Sequence, residues 1–180
     1  MDTLQLEKLK YPIGKFEAPQ LISEDHLSLW FKKLKTLPSR VDLAVQKLNE
    51  SQLDTPYRPE GWTVREVVHH LADSHHNAYT RFKWALTEDQ PTIKAYDENA
   101  WAKGIDYKAP ISLSLNYLAA LHEKLIYLLE NLEQSDITKS FIHPATGEKV
   151  VLKNMVGMYA WHGDHHLAQI MSLMEREGWG

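Results

Sequence analysis

Apolar side chains recur at helical spacing in four stretches of the chain. The first runs through Leu27, Trp30, Phe31 and Leu34, and resumes with Val41, Ala44, Val45 and Leu48. Ser23 offers an N-cap, and Glu24 and Asp25 fall in the first turn, where the helix dipole favours negative charge. Pro38 lies between the two halves, so the pattern predicts one long kinked helix or two consecutive ones. The second stripe is Val64, Val68, Leu71, Ala72, Ala78, Tyr79, Phe82 and Leu86. Thr63 precedes it as a cap, with Glu66 three residues on as capping-box partner. A leucine-rich third helix runs from Leu113 to Leu132, and a fourth from about Asn154 to Glu177, where Gly178 ends it.

The connections are long. Residues 1–22 carry Pro12, Gly14 and Pro19 and read as an extended arm over the surface. Ser51 to Gly61 holds two prolines and reads as a loop. Pro91 to Pro110 is irregular, with a short helix through Asp97 to Trp101. Phe141 to Leu152 places Pro144 and Gly147 between β-branched and aromatic residues, as in a small hairpin. The expectation is an all-α chain: a four-helix bundle with crossover connections and a small hairpin before the last helix, forming one domain over residues 1–180.

Composition narrows the function. A chain of 180 residues, 43% hydrophobic, suffices for one buried core. No stretch approaches the roughly 18 apolar residues of a membrane span. Met1 to Lys10 mixes both charges and lacks a signal-peptide core, so the expected compartment is the cytoplasm. Formal net charge is −4, and Lys32, Lys33 and Lys35 form a solvated helix face, so nucleic acid is not an expected partner. Cysteine is absent, which excludes thiolate ligands and a cysteine nucleophile; any thiol chemistry would need a thiol co-substrate.

Histidine is abundant, with 10 residues, seven of them in two windows: His69, His70, His75 and His76, then His162, His165 and His166. Side chains four apart on a helix stack one turn above each other, so His162 and His166 can reach one ion. On the helical wheel His166 falls roughly 60° and His162 roughly 100° from the buried stripe, while His165 points away, to solvent. In the first window the wheel turns His75 inward, as a hydrogen-bonded core histidine, and leaves His69 and His70 off the stripe. His69 and His76 read as exposed, and His26, His122 and His143 as ordinary surface or loop histidines, His143 being the least secure of these because its segment directly precedes the last helix.

Gly61-Trp62-Thr63-Val64-Arg65-Glu66-Val67-Val68-His69-His70-Leu71-Ala72-Asp73 resembles the second-helix signature of the DinB-like metalloproteins, and Trp161-His162 and His166-Leu167 match its C-terminal part. Tyr11-Pro12-Ile13-Gly14, Gln52 to Arg58, Tyr96-Asp97-Glu98 with Trp101, and His143-Pro144 are similar to the YfiT-type branch, described as metal-dependent hydrolases. The resemblance implies a four-helix bundle with the metal at one end, commonly a homodimer. It implies His70, His162 and His166 as ligands of one divalent metal, choosing His70 where the wheel chose His75. Asp164 and Gln169 depart from the expected pattern and bear on the surroundings of the ligands.

Imidazole ligation suits zinc, with nickel as the alternative. Three protein ligands leave one position open, which suits a hydrolase that activates water on a small-molecule substrate, with Asp73, Asp97 and Glu98 as candidate bases. The resemblance to DinB-like proteins, which include enzymes that use low-molecular-weight thiols such as bacillithiol, implies thiol transfer at the same site as the alternative, and a metal-stabilised binding bundle without catalysis is the third reading.

Overall fold

The computed structural model describes residues 2–179. The four expected helices are α2 (Glu24–Val45), α4 (Val64–Thr87), α6 (Ile111–Glu130) and α8 (Leu152–Glu177). Between them lie α3 (Glu50–Leu53), α5 (Glu98–Trp101), a 3-10 turn at Ile105–Lys108, and α7 (Gln134–Ile137). Pro38 sits inside a single continuous α2, so the one-helix alternative holds. Thr63 and Glu66 form the expected capping box, and Gly178 closes α8 at φ 68°. Strands β1 (Ser140–Ile142) and β2 (Lys149–Val151) make the hairpin, paired Ser140 to Val151, and the Pro91–Ile93 segment hydrogen-bonds to β1.

The N-terminal arm needs correcting. Residues Thr3–Lys10 form a helix, α1, because Asp2 and Gln5 build a capping box and the first proline comes only at position 12. Only the part beyond Lys10 is extended.

Each bundle helix packs against two others: α2 on α6 and α8, and α4 on α6 and α8. Consecutive helices α2 and α4 are thus diagonal, as are α6 and α8, which is why the connections are long. Gly157 and Gly163 let α8 approach α2 closely, since a Cβ at Gly163 would meet Leu37. Among the described residues no helix is long and apolar enough to cross a membrane.

Two apolar clusters fill the interior. One gathers Trp30, Leu34, Phe82, Leu125, Met155 and Tyr159; the other gathers Leu37, Val41, Val67, Leu71, Leu118 and Leu173. The first uses the N-terminal halves of α2 and α8 and the C-terminal halves of α4 and α6, so α2 and α8 run one way and α4 and α6 the other. Between the clusters lie the buried His75, His122 and His166, with the half-buried His162 beside them, and buried His70 adjoins them from among the second cluster's α4 residues. A polar layer there is costlier than apolar packing unless its groups are satisfied.

Candidate metal centre

His70 comes from α4, and His162 and His166 from successive turns of α8. The Nε2 atoms of His70 and His166 stand 3.3 and 3.2 Å from Nε2 of His162. Ligands about 2.05 Å from a tetrahedral ion are separated by about 3.3 Å. The spacing therefore fits a single zinc-sized ion, and these three histidines form the one group of its kind found among the described residues.

Burial keeps the rings neutral, as ligation requires. It pushes His70 down to about 4 and holds His162 and His166 well below the ordinary histidine value, reinforced by the neighbouring imidazoles. Three neutral imidazoles converging on one point suit a first-row divalent cation such as Zn2+ or Ni2+.

The tautomer of His166 follows from its partners. The Gln169 side-chain amide donates to the backbone carbonyl of Lys10 at 2.9 Å and lies 3.0 Å from Nε2 of His165. Its oxygen then faces Nδ1 of His166 at 2.9 Å and must accept from it. The Nε2 lone pair of His166 is left for the site. Behind His162, Nδ1 faces Nε2 of His75 at 3.4 Å, and Nδ1 of His75 faces Nε2 of His122 at 3.0 Å. Nδ1 of His70 is buried without a hydrogen-bond partner among the described residues.

The three histidines open into a cleft of about 460 Å³ walled by Tyr11, Tyr57, Arg58, Trp62, Glu98 and Trp161. Trp62, just ahead of the α4 cap, packs its ring 4.5 Å from that of His70. Of the three candidate bases, only Glu98 reaches this cleft, and burial raises its carboxyl. Asp73 accepts from the Tyr107 hydroxyl at 2.8 Å, and Asp97 caps α5.

Several histidines depart from expectation. His75 is the buried, hydrogen-bonded core residue the wheel predicts, and His76 is exposed. His69 is buried, with Nε2 donating to the carbonyl of Ala109 at 3.1 Å and Nδ1 2.7 Å from Ser114 Oγ. His165 is also buried, stacked on Trp161 and close to Tyr11, because the N-terminal segment covers the outer face of α8. A wheel records only the bundle side, and here the connections cover the other. His70 is buried too, since α4 is enclosed on nearly all sides over its first half. His122 is no surface residue: it lies on the Leu118–Leu125–Leu129 stripe and is 1% exposed. That stripe is visible in the sequence. His26 pairs with its own cap residue Ser23, and His143 lies in the hairpin turn, outside the cluster. Asp164 pairs with Lys33 and Arg40 at 2.9 and 2.8 Å, away from the three histidines, whereas Gln169 touches one directly.

Fold and site together define a helical-bundle protein with a three-imidazole pocket between α4 and α8. The DinB superfamily matches residues 33–170, and the chain belongs to that superfamily. A protein of Bacillus cereus (strain 03BB102) is 48% identical over 174 residues, covering 97% of this chain and 100% of its own, and a Bacillus thuringiensis subsp. konkukian protein matches equally well. The names of both propose a metal-dependent hydrolase. Among solved structures, YfiT from Bacillus subtilis superposes with a TM-score of 0.94 at 46% identity, over 96% of this chain and 99% of its own. YfiT is a four-helix bundle of unusual topology for which metal-dependent hydrolysis is likewise proposed.

Proposed function

We propose that the chain is a metal-dependent hydrolase of a small-molecule substrate, with one divalent ion held by Nε2 of His70, His162 and His166. The observation that carries this reading is the placing of the neutral His70 and His166 Nε2 atoms 3.3 and 3.2 Å from that of His162, with the ligand atoms of all three within 4.8 Å of one another, at the base of an open cleft. A purely structural site would be expected to close the fourth position with a protein ligand. Zinc is the favoured ion and nickel the alternative, and the relatives' names support metal dependence without naming the metal. An ion so held supplies Lewis acidity and brings the pKa of coordinated water to about 7.

The chain's own groups divide the remaining work. Trp62, Tyr57 and Trp161 give the cleft aromatic walls that exclude water from part of a bound substrate. Glu98, a better base than an ordinary carboxylate because burial raises it, faces the same cleft and is placed to accept a proton. The reading extends to a single-domain, cytoplasmic homodimer.

Metal-loaded protein should hydrolyse a member of an ester and amide panel without added thiol, with activity rising through an apparent pKa near 7. Glu98→Gln should lower turnover and leave metal content unchanged. A strict requirement for a low-molecular-weight thiol, consumed in equal amount with the electrophile, would replace hydrolysis by S-transfer at the same centre. Failure to take up any divalent ion would remove both readings.

A further inference from the structure

An α-helix uses the N–H of each residue to hold the carbonyl four positions back. Pro38 has no N–H, so the carbonyl of Leu34 loses its helical partner. That carbonyl is not left unsatisfied. Nδ1 of His122, on α6, lies 2.7 Å from it in the buried interior.

This one contact fixes the polarity of everything that follows. A carbonyl only accepts, so Nδ1 of His122 carries the proton and donates. Burial keeps His122 neutral, with its pKa down to about 4, so its Nε2 holds a lone pair. That lone pair, 3.0 Å from Nδ1 of His75, accepts from it. Nε2 of His75 is then an acceptor too, and at 3.4 Å it takes the proton on Nδ1 of His162. His162 is left with its Nε2 lone pair directed at Nε2 of His70 and His166. Reversing any one ring would leave two lone pairs or two protons face to face.

We propose that Pro38, His122 and His75 are positioning residues for the metal centre, a wire from the Leu34 carbonyl that holds His162 in the tautomer and orientation needed to ligate. The proposal rests on the reading of His162 as a ligand. It assigns a function to two buried histidines that contact neither the cleft substrate nor the ion, and to a proline that otherwise only weakens α2. Partners behind a ligating imidazole raise its basicity and fix its ring, and losing them typically costs 10–100-fold in metal affinity. A core histidine serving packing alone would not depend on hydrogen-bond polarity.

The test is zinc affinity of the full chain by chelator competition, with far-UV circular dichroism and thermal midpoint recorded on each metal-free variant. His75→Leu removes both hydrogen bonds at similar volume and should weaken zinc binding 10–100-fold. His75→Gln can accept from His162 with its oxygen and donate to His122 with its amide, so it should return affinity to within about fivefold of the parent. Pro38→Ala restores an N–H that competes for the Leu34 carbonyl; it should weaken zinc binding several-fold while the thermal midpoint holds or rises. In histidine-selective 15N spectra of the metal-free protein, His162 should be the Nδ1–H tautomer in the parent and in His75→Gln, and mixed in His75→Leu.

The wire is overturned if folded His75→Leu keeps zinc affinity within twofold of the parent, or if His75→Gln is as weak as His75→Leu. Unchanged affinity in Pro38→Ala removes the proline from it. His162→Ala serves as the control for the underlying reading: if that variant binds zinc as the parent does, the ligand assignment fails, and the wire with it.

Discussion

His162 and His166 stand one turn apart on α8, yet they are supported from opposite directions. Behind His162 the supports are rings, His75 from α4 and His122 from α6, ending on a carbonyl of α2. This path uses three other bundle helices, and its two middle rings, His75 and His122, are almost wholly buried. Behind His166 the support is Gln169 on the same helix, and beyond it the carbonyl of Lys10 in the N-terminal segment. That path lies along the cleft, whose wall includes Lys10 and Gln169. Both end on a backbone carbonyl, a group that only accepts and so cannot invert its hydrogen-bond polarity. The difference lies in the surroundings of each support: Gln169 lines the cleft, where water can stand in for a lost partner, whereas His75 and His122 are 0% and 1% exposed in the packed interior.

The largest effect tests the level on which the comparison stands. Alanine at His70, His162 or His166 removes a ligand from a three-ligand set, and zinc uptake measured by elemental analysis and titration should fall by more than about 100-fold in each. Retention of stoichiometric zinc by the His70 variant, with loss in His75→Ala, would move the centre towards the core pair.

Acid should act on both paths, since burial lowers His166 and His165 on one as it lowers His75 and His122 on the other; His122 isolates the share of the buried path. An unfolded histidine titrates near 6.5, and folded His122 near 4. Its folded value is depressed, so the unfolded chain binds more protons between the two; the stability it contributes is complete above about pH 6.5 and is lost as pH falls towards 4. For His122 alone this amounts to on the order of 3 kcal/mol, since it is almost wholly buried. Urea midpoints of the metal-free protein should fall steeply over that window, and His122→Leu should flatten the fall. An equal slope in that variant would mean that acid acts elsewhere.

Smaller changes are expected on the open path. Gln169→Leu removes the acceptor of His166 Nδ1, but water in the cleft can take its place, so zinc affinity should drop about fivefold, less than for His75→Leu. A larger loss for Gln169→Leu than for His75→Leu in chelator competition would invert the ranking of the two supports.

The sequence shows these two paths unequally. The four bundle helices, the Thr63 cap and the Gly178 stop are local signals, carried by residues within one or two turns, and they hold. The pair His162 and His166 is local in the same sense. His70 reaches the set only through resemblance, because α4 is enclosed on so many sides over its first half that it has no single stripe to read. The supports are non-local. Gln169 works through a carbonyl 159 residues away, and His122 through one 88 residues away. What could be read in advance was narrower: a proline inside a helical stripe frees a carbonyl, and His122 lies on a leucine stripe and so faces inward.

The smallest effect belongs to His165, where wheel and structure disagree most. The wheel sends it to solvent, so its loss should change nothing. In the fold its ring stacks on Trp161 at 4.7 Å and its Nε2 takes a hydrogen from Gln169 at 3.0 Å, under the cover of Tyr11. Its polar link to the centre is Gln169, whose amide also holds Lys10 and whose oxygen is committed to His166, and its ring packs edge-on 5.1 Å from that of His166. Removing His165 takes one of the three hydrogen bonds from Gln169 and leaves the two that set its orientation. His165→Ala should therefore keep stoichiometric zinc with affinity within about threefold of the parent, while the thermal midpoint falls by a few degrees as a buried ring is lost. An unchanged midpoint would return His165 to solvent and lift the N-terminal cover off α8. A loss of zinc beyond about tenfold would instead make the open path as rigid as the buried one, since it would show that Gln169 cannot hold His166 on its remaining two bonds.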